Sequence, residues 1–444
     1  MNLVEMDELE IGFIGLGAMG MMYAKRLCEA GWKNINVCDL PSKYEQLKTT
    51  LAGSGLTVLK DGHAVSRRSD FIIYSVEAEN IERVVAEYGP STKLEAIVGG
   101  QTSVKEPEIR AFEKYLPDDA HIVTCHSLHG PTVHPKGQPL VLIRHRASDD
   151  KYNLVIRILS CLQSELVELS YKEHDRITAD TQAVTHVAFL SMGTAWKTQM
   201  QFPWETPQYV GGIENVKINM TLRIYSNKWH VYAGIAIMNP SAEIQIRQYA
   251  QSVSDLFKLM IQEKQEEFEN RVKEAGDFVF GKHAENRQPI LLSDSILDRF
   301  SLSSVPSEQR KPNSHLSLMA MTDSWHKLGI RPYEHMVCQT PLFRLWIGIA
   351  EYLFRNTEML DEAIRAALYD KDIRADDMEF YSASKGWAEC VAVGNMAAYQ
   401  KRFNDTAEFF KKRFPEGVRI GNEMIEVIKT HQRVGLGNIA HSDS

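Results

Sequence analysis

The 444-residue chain lacks the features that define several classes of protein. It has no run of roughly 18 uncharged apolar residues, and its best candidate is interrupted by Arg344 and Glu351, so no membrane-spanning helix is predicted. The formal net charge of −8 favours neither a nucleic-acid nor a polyanion partner. The six cysteines form no C-x-x-C pair, which argues against a structural zinc site or a disulfide framework and indicates a reducing compartment.

The N-terminal residues and the composition set the broad class. Residues 1–10 are acidic and contain no arginine, unlike a signal or transit peptide, so we predict a cytoplasmic protein. The hydrophobic fraction of 44% and the charged fraction of 24% are typical of a soluble globular protein. A chain of this length is expected to form two or three domains.

A glycine-rich motif follows the first predicted strand. The apolar run 11–14 leads directly into the pattern G-x-G-x-x-G, and another apolar run after it predicts a helix. In a dinucleotide-binding unit Gly15 makes the tight turn, Gly17 lets the backbone approach a pyrophosphate, and Gly20 lets helix and strand pack closely. The helix N-terminus would offer free N–H groups to the phosphates. The predicted cofactor-binding residues of this loop are Gly15, Leu16, Gly17, Ala18, Met19 and Gly20.

Other strand ends are expected to contribute to the same cofactor site. Asp39 follows the apolar run 35–38, at the position that usually binds the ribose 2′-hydroxyl and repels a 2′-phosphate, which favours NAD. Ser42 and Lys43 follow closely and could instead reach a phosphate. Ser75 ends another predicted strand and is assigned to the cofactor site as well.

Strands and helices alternate through the first part of the chain. After the glycine motif, apolar strands are predicted at 57–59, 71–75, 96–98, 121–125 and 139–143. Helical patterns lie between several of these strands, which predicts an α/β Rossmann-type domain with a doubly wound parallel sheet over residues 1–170. Ligands bind beyond the carboxyl ends of such strands, so residues 75–77, 99–103 and 126–131 are expected to form the active-site edge.

The remainder of the chain is predicted to be all-α, because the apolar spacing becomes helical from about residue 171. We expect a helical substrate or dimerisation-type domain at 171–300, a linker at 301–313 and a second helical unit at 314–434. The last segment, 435–444, is predicted to be a disordered tail.

An internal similarity connects the two helical units. Residues 185–197 resemble residues 314–325, with a tryptophan at the same distance after a histidine in both. A second match relates residues 232–236 to residues 346–350. We interpret the similarity as a duplicated helical unit, whose second copy would cover apolar surface and permit a monomer. A homodimer is the alternative.

Several polar residues are candidates for chemistry. His126 follows a predicted strand and can be a general base or a satisfied structural residue. Ser103, at a neighbouring strand exit, can bind a substrate hydroxyl or cap the next helix. Arg223 lies in an apolar helical stretch, where it needs an anion from the protein or from a substrate. Residues 171–175 can be a capping segment without a catalytic role.

With these residues identified, the chain resembles the prephenate dehydrogenase family, most closely its fungal form. The likeness spans roughly residues 8–280, and the fungal likeness continues to the C-terminus. The motifs that carry it are residues 15–20, 100–105, 126–131, 173–175, 183–186 and 221–224. Each motif is weak alone, but six in the same order are specific.

The resemblance implies oxidative decarboxylation of prephenate to 4-hydroxyphenylpyruvate in tyrosine biosynthesis, with a hydride passing to a nicotinamide. It implies that His126 is the catalytic base for the C4 hydroxyl proton, and that Ser103 is a catalytic residue that orients substrate and histidine. His186 would line the substrate pocket, and Arg223 would bind a substrate carboxylate. The family commonly has His-Pro where this chain has His126 and Ser127, which leaves the local turn open.

The cofactor and the reaction have alternatives. Fungal members of the family use NADP, so the resemblance favours NADP over NAD despite Asp39. An arogenate dehydrogenase would use the same residues on an amino-acid substrate. A β-hydroxyacid dehydrogenase-like oxidoreductase normally has a lysine where this chain has residues 178–182. A non-enzymatic nucleotide-sensing protein would not need Ser103, His126 and Arg223 together.

Overall fold

The structure is a computed structural model and describes residues 3–281, 294–334 and 340–439. The chain forms two compact units, Met1–Thr178 and Ala179–Ser444. The first combines a sheet with helices, and the described part of the second is helical. This confirms the predicted fold class of a Rossmann-type domain followed by a helical region.

The first unit is built around one sheet. Its strands are β1 Glu10–Ile14, β2 Asn34–Cys38, β3 Leu56–Val58, β4 Phe71–Tyr74, β5 Ile97–Gly100, β6 His121–Ser127, β7 Pro139–Arg146 and β8 Glu165–Glu168. Its helices are α1 Leu3–Glu8, α2 Ala18–Glu29, α3 Tyr44–Thr50, α4 Gly62–Arg68, α5 Ile81–Tyr88, α6 Glu106–Tyr115, α7 Asp149–Leu159 and α8 Tyr171–Thr178. The central strands β1 and β4 are buried almost throughout, because apolar clusters cover both faces of the sheet.

The sheet has the order β3-β2-β1-β4-β5-β6-β7-β8, and the strands from β3 to β6 are all parallel. It differs from the predicted parallel sheet at one strand, because β7 pairs antiparallel with β6. No helix lies between these two strands, whereas a parallel return normally needs a crossover of about a dozen residues or more, usually a helix. The missing helical pattern between the two strands was the signal in the sequence.

Helix α8 belongs to the first unit, although it follows the predicted domain boundary at residue 170. The Asp175 carboxylate accepts hydrogen bonds from the backbone N–H groups of Lys105 and Glu106, at 2.8 Å each. These contacts attach α8 to the start of α6, which explains why it groups with the sheet.

The second unit opens with a short π-helix, Ala179–Ala183. Its helices are α9 Val184–Thr198, α10 Gly212–Tyr225, α11 Trp229–Ile237, α12 Ala242–Ile261, α13 Gln265–Phe280, α14 Asp294–Leu297, α15 Leu316–Lys327, α16 Pro341–Arg355, α17 Thr357–Tyr369, α18 Lys371–Val393, α19 Met396–Phe410 and α20 Phe414–Ile439. Buried aromatic residues join them; for example, Trp346 of α16 packs against Phe189 of α9.

Helices α9–α13 and α15–α19 follow one another with matching order and similar lengths. Their packing is reciprocal: α9 packs on α18 and α15 packs on α12, while α12 and α18 pack on each other. The same exchange relates α11 against α18 to α17 against α12. His186 and Trp196 lie in α9, and Trp325 lies at the corresponding place in α15, directly after His315 at its N-cap. This is the arrangement that the predicted duplication requires.

The second sequence match does not fit that correspondence. Residues 232–236 lie in α11, whereas residues 346–350 lie in α16, the counterpart of α10. The resemblance of these two apolar stretches is therefore coincidental, since buried helices of this unit share a similar small and apolar composition.

The predicted linker and tail are partly within the described residues. In the stretch 301–313, Lys311 N–H donates to the Pro207 carbonyl and the Asn313 side chain donates to the Gln208 carbonyl. Helix α20 continues to Ile439, into the segment predicted as a tail. Residues 440–444 lie outside the described residues.

Within the described ranges, no helix combines the length and the apolar character needed to cross a membrane.

Candidate active site

The turn between β1 and α2 has a geometry that requires glycine. Gly15 has a φ of +95°, and a Cβ atom there would lie 2.4 Å from the carbonyl oxygen of Ser75. A Cβ atom at Gly20 would lie 2.7 Å from the carbonyl oxygen of Gly15. The two glycines therefore allow the loop to close against the end of β4, as the motif predicts.

Gly17 faces open space, because a Cβ atom built on it would meet no atom within 4 Å. It is the N-cap of α2, no side chain caps that helix, and no acidic residue occupies its first turn. The free N–H groups and the positive end of the helix therefore suit the pyrophosphate of a dinucleotide. Leu16, Ala18 and Met19 lie in the same turn, and their contacts with a cofactor stay a prediction.

Asp39 lies directly after β2, as predicted, but its carboxylate already has partners. Oδ2 accepts from the Leu16 N–H at 3.3 Å, and Oδ1 accepts from the Leu40 N–H at 2.7 Å and from the Lys43 ammonium at 3.1 Å. The ion pair offsets part of the negative charge that would repel a 2′-phosphate. Lys43 remains half exposed and is a cation at the place where such a phosphate would bind.

Ser75 lies beyond the end of β4, where its N–H donates to the Ile14 carbonyl at 2.8 Å. Its side chain is packed at the glycine turn, 2.9 Å from the position that a Cβ of Gly20 would occupy. It thus stands at the predicted sheet edge, and a direct contact with a cofactor stays a prediction.

His126 lies near the carboxyl end of β6 and is 8% exposed. Its Nδ1 lies 2.8 Å from Nε2 of His174. Burial lowers the pKa of His126 well below its ordinary value, and the charges of His174, Lys105 and His129 lower it further. The imidazole is therefore neutral near pH 7, which is the form that can accept a proton.

Ser127, where the family commonly has proline, ends β6. Its hydroxyl forms a hydrogen bond with the hydroxyl of Tyr23 on α2. The turn after His126 is therefore tied to the helix that follows the glycine motif, which settles the local geometry that the sequence left open.

His174 and Asp175 are site residues that the sequence interpretation missed. The His174 ring is 1% exposed, and its Nδ1 lies 2.8 Å from Oδ1 of Asp175. Burial lowers the pKa of His174, while the hydrogen bond with Asp175 opposes that shift. Residues 171–175 do include a cap, but Asp175 caps α6 rather than its own helix. The signal in the sequence was a His-Asp pair within a motif of the resembled family.

Ser103 lies between β5 and α6, at the predicted sheet edge and partly exposed. The alternative role as a helix cap does not apply, because the N-cap of α6 is Lys105 and Asp175 accepts the first N–H groups of that helix. Its role toward a substrate stays a prediction.

A buried ion pair lies beneath this edge. The Lys105 ammonium donates to Glu108, to Thr124 and to the carbonyls of Gly100 and Cys125. Lys105 and Glu108 are both fully buried, so each charge depends on the other. The cluster joins the ends of β5 and β6 to α6 and holds the backbone just before His126. The close spacing of Lys105 and Glu108 in the sequence was its only signal.

In the helical unit, His186 and Arg223 lie on either side of Tyr232. The His186 ring contacts that of Tyr232 edge-on, at 4.8 Å between centroids, and its Nδ1 has no hydrogen-bond partner among the described residues. Burial lowers the pKa of His186 to about 3. Arg223 lowers the pKa of Tyr232, although burial raises that pKa overall to about 12.

Arg223 is largely buried, and burial lowers its pKa. Its Nε donates to Oδ1 of Asn422 at 3.4 Å. In the part of the chain that the structure describes, no carboxylate pairs with Arg223, which removes the internal ion-pair explanation and favours an external anion.

His315, the counterpart of His186 in the second set of helices, has a different environment. Its Nδ1 lies 3.0 Å from the Lys217 ammonium and 2.9 Å from Oε1 of Glu214, and all three groups are buried. The pattern of a structural polar cluster fits His315, whereas His186 keeps an unpaired nitrogen.

Replacing Gly17 by alanine tests the nucleotide loop. A methyl group there meets no protein atom, so we expect Tm to stay within about 1 °C while the Kd for the dinucleotide rises at least tenfold, the cost of displacing one good hydrogen-bonded contact. Calorimetric titration and thermal unfolding measure the two quantities. Gly15→Ala is the contrasting variant, since strain and the contact with Ser75 should lower Tm as well. Unchanged nucleotide affinity in Gly17→Ala would place the phosphates elsewhere.

Two family models match the chain. Residues 183–430 match a family described as a 6-phosphogluconate dehydrogenase C-terminal domain. Residues 10–98 match the family described as NADP oxidoreductase, coenzyme F420-dependent.

Individual proteins are similar over nearly the whole length. The chain is 56% identical to a probable NADP(+) prephenate dehydrogenase of Schizosaccharomyces pombe, covering 94% of this chain and 97% of the relative. It is 52% identical to the NADP(+) prephenate dehydrogenase of Saccharomyces cerevisiae, covering 95% and 94%. Among solved structures, prephenate dehydrogenase from Aquifex aeolicus in complex with hydroxyphenyl propionate and NAD+ has a TM-score of 0.48 and 20% identity, covering 60% of this chain and 96% of that one. The identity to the two fungal proteins confirms the resemblance found in the sequence, and the chain belongs to the prephenate dehydrogenase family.

Proposed function

We propose that the protein oxidises prephenate to 4-hydroxyphenylpyruvate and carbon dioxide with reduction of NADP, in the biosynthesis of tyrosine. The observation that carries the proposal is the identity of 56% and 52% to two fungal proteins named as NADP(+) prephenate dehydrogenases, each aligned over nearly its full length. The arrangement around His126 and Arg223 supplies the chemistry that this reaction needs.

NADP is the proposed cofactor. Gly17 and the uncapped N-terminus of α2 would hold its pyrophosphate, and Lys43, already paired with Asp39, would face the 2′-phosphate. The bound nicotinamide accepts the hydride from C4 of the substrate. The name of the family model that matches residues 10–98 also includes NADP.

His126 is the proposed general base. Its neutral ring would take the proton of the C4 hydroxyl as the hydride leaves that carbon, because a developing carbonyl drives both departures. Loss of the ring carboxylate as carbon dioxide then returns the electron pair to the ring, which becomes aromatic, and the proton can return to the phenolate oxygen. Ser103 is proposed to orient the hydroxyl toward His126.

Arg223 is proposed to bind a carboxylate of the substrate, because its buried guanidinium has no internal carboxylate partner among the described residues. His186, with an unpaired Nδ1 and a shared contact with Tyr232, is proposed as a second substrate contact in the same unit. A neutral His186 can donate or accept one hydrogen bond without adding charge.

Location and assembly are also proposals. We infer a cytoplasmic enzyme, in keeping with the unpaired cysteines among the described residues. We infer a monomer whose second set of helices covers the first, with a homodimer as the alternative that analytical ultracentrifugation would detect. No nucleic-acid or membrane partner is proposed.

Initial rates measured at 340 nm with prephenate or arogenate, and with NADP or NAD, test the proposed reaction. We expect the highest kcat/KM for prephenate with NADP. A preference for arogenate would make the protein an arogenate dehydrogenase. Activity only on β-hydroxyacids would contradict both, and the buried Asp180 and Gln182 at the place where those enzymes normally carry a lysine argue against it. Nucleotide binding without turnover of any of these substrates would indicate a sensing protein.

His126→Asn removes the proton acceptor while keeping a side chain of similar size. We expect kcat to fall on the order of 10²–10⁴-fold with KM nearly unchanged, as is typical for loss of a general base. Steady-state kinetics on prephenate give both constants. A variant that keeps more than about a third of the wild-type kcat would refute the assignment.

Arg223→Ala should act mainly on binding. Loss of a charge-assisted contact costs on the order of 1.5–3 kcal/mol, which corresponds to a rise in KM of roughly ten- to a hundredfold. Arg331→Ala is a matched control, since that arginine packs over Phe278 in the same unit and has no proposed substrate contact. If KM is unchanged and only the unfolding temperature falls, Arg223 is structural.

A further inference from the structure

A chain of hydrogen-bonded groups extends from His126 to a carboxylate. Nδ1 of His126 lies 2.8 Å from Nε2 of His174, and Nδ1 of His174 lies 2.8 Å from Oδ1 of Asp175. All three side chains are buried, with exposed fractions of 8%, 1% and 3% in that order, so the end of the chain that solvent or a ligand can reach is His126.

The carboxylate sets the direction of these hydrogen bonds. Oδ1 of Asp175 accepts the backbone N–H of Lys105 and Oδ2 accepts that of Glu106, each at 2.8 Å. Because each oxygen already accepts an N–H, Asp175 acts as an acceptor toward His174 as well. The hydrogen between the two side chains therefore belongs to Nδ1 of His174.

The tautomer of the first ring dictates that of the second. Burial lowers the pKa of both histidines, so both are neutral near pH 7 and each carries one ring hydrogen. With its hydrogen on Nδ1, His174 has a lone pair on Nε2 and can only accept there. The hydrogen shared by the two rings must come from Nδ1 of His126, and Nε2 of His126 is left with a lone pair.

We propose that Asp175 and His174 are positioning residues that hold His126 as the tautomer with its hydrogen on Nδ1, so that Nε2 is the atom that accepts the substrate proton. An isolated neutral imidazole prefers the opposite tautomer, with its hydrogen on Nε2, which cannot accept a proton at that atom. The chain of contacts also stabilises the imidazolium that forms on proton transfer, because its Nδ1–H already points at an acceptor.

The role in catalysis rests on the proposed function, but the tautomer can be observed without any substrate. Two-bond ¹H–¹⁵N correlation spectra of the full-length protein labelled with ¹⁵N-histidine distinguish the two tautomers, and His126→Asn and His174→Gln assign the signals. We expect both rings of the wild type to carry their hydrogen on Nδ1. A wild-type His126 with its hydrogen on Nε2 would overturn the proposal whatever the enzyme's substrate is.

Asp175→Asn tests the source of the orientation. An amide can donate to Nδ1 of His174, which reverses both hydrogen bonds and moves the hydrogen of His126 to Nε2. We expect that shift in the spectrum and a fall in kcat on the order of 10²–10⁴-fold with little change in KM, the effect of a wrong tautomer. Asp119→Asn is the matched control, because Asp119 also accepts a backbone N–H, from Glu95, before the opposite end of β6. It should leave kcat and the His126 signal unchanged.

His174 variants keep the test decisive if Asp175→Asn disturbs α6. His174→Gln retains an amide oxygen that can accept from Nδ1 of His126 and should keep a larger share of kcat than His174→Leu, which retains none. Equal kcat in the two His174 variants, or a kcat within threefold of wild type in folded Asp175→Asn, would show a merely structural role. If the wild type does not turn over prephenate but shows the expected tautomers, the proposed function fails and the hydrogen-bond assignment stands.

Discussion

The carboxylate of Asp175 connects three parts of the first unit. It accepts the first N–H groups of α6, it binds the ring of His174, and through that ring it reaches His126 at the end of β6. Helix α8 is thereby attached to the edge of the sheet where the glycine turn, Ser75 and Ser103 also lie. The position of the proposed base and the attachment of the last helix of this unit depend on the same hydrogen bonds.

Beneath that edge, the Lys105–Glu108 pair supplies rigidity at a cost. Removing one partner would leave an uncompensated buried charge, which typically destabilises a protein by about 3–5 kcal/mol. The ammonium is fully engaged by carbonyl and hydroxyl oxygens, so the cluster is satisfied as a whole. Its positive charge also disfavours a second positive charge on His126, which helps to keep that ring neutral.

Much of the fold could be predicted because it is written in local patterns. The glycine motif at 15–20, the predicted strands after it and the change to helical spacing near residue 171 all have counterparts in the structure. The antiparallel β7 was not predicted, although the absence of a helix between it and β6 is itself local. The His174–Asp175 contacts are different in kind, because Asp175 reaches groups about 70 positions away and no periodicity encodes such a pair.

The candidate site was predicted in a similar way. His126, Asp39 and Ser75 were found because strand ends of a doubly wound sheet lie at one edge. Which nitrogen of His126 faces the substrate, and whether Arg223 has an internal partner, could not be read from residue types. Both depend on which side chains the packing brings within hydrogen-bond distance, and that is decided by the whole unit.

The reciprocal packing of α9–α13 against α15–α19 has a consequence for how this enzyme behaves on dilution. Two separate subunits held together by such helices would dissociate as their concentration fell, whereas helices on one chain meet at an effective concentration fixed by the connecting segment. Their association is then a unimolecular step of folding. It also frees the two halves from identity, so that one can keep an unpaired His186 for a ligand while the other commits His315 to an internal cluster with Lys217 and Glu214.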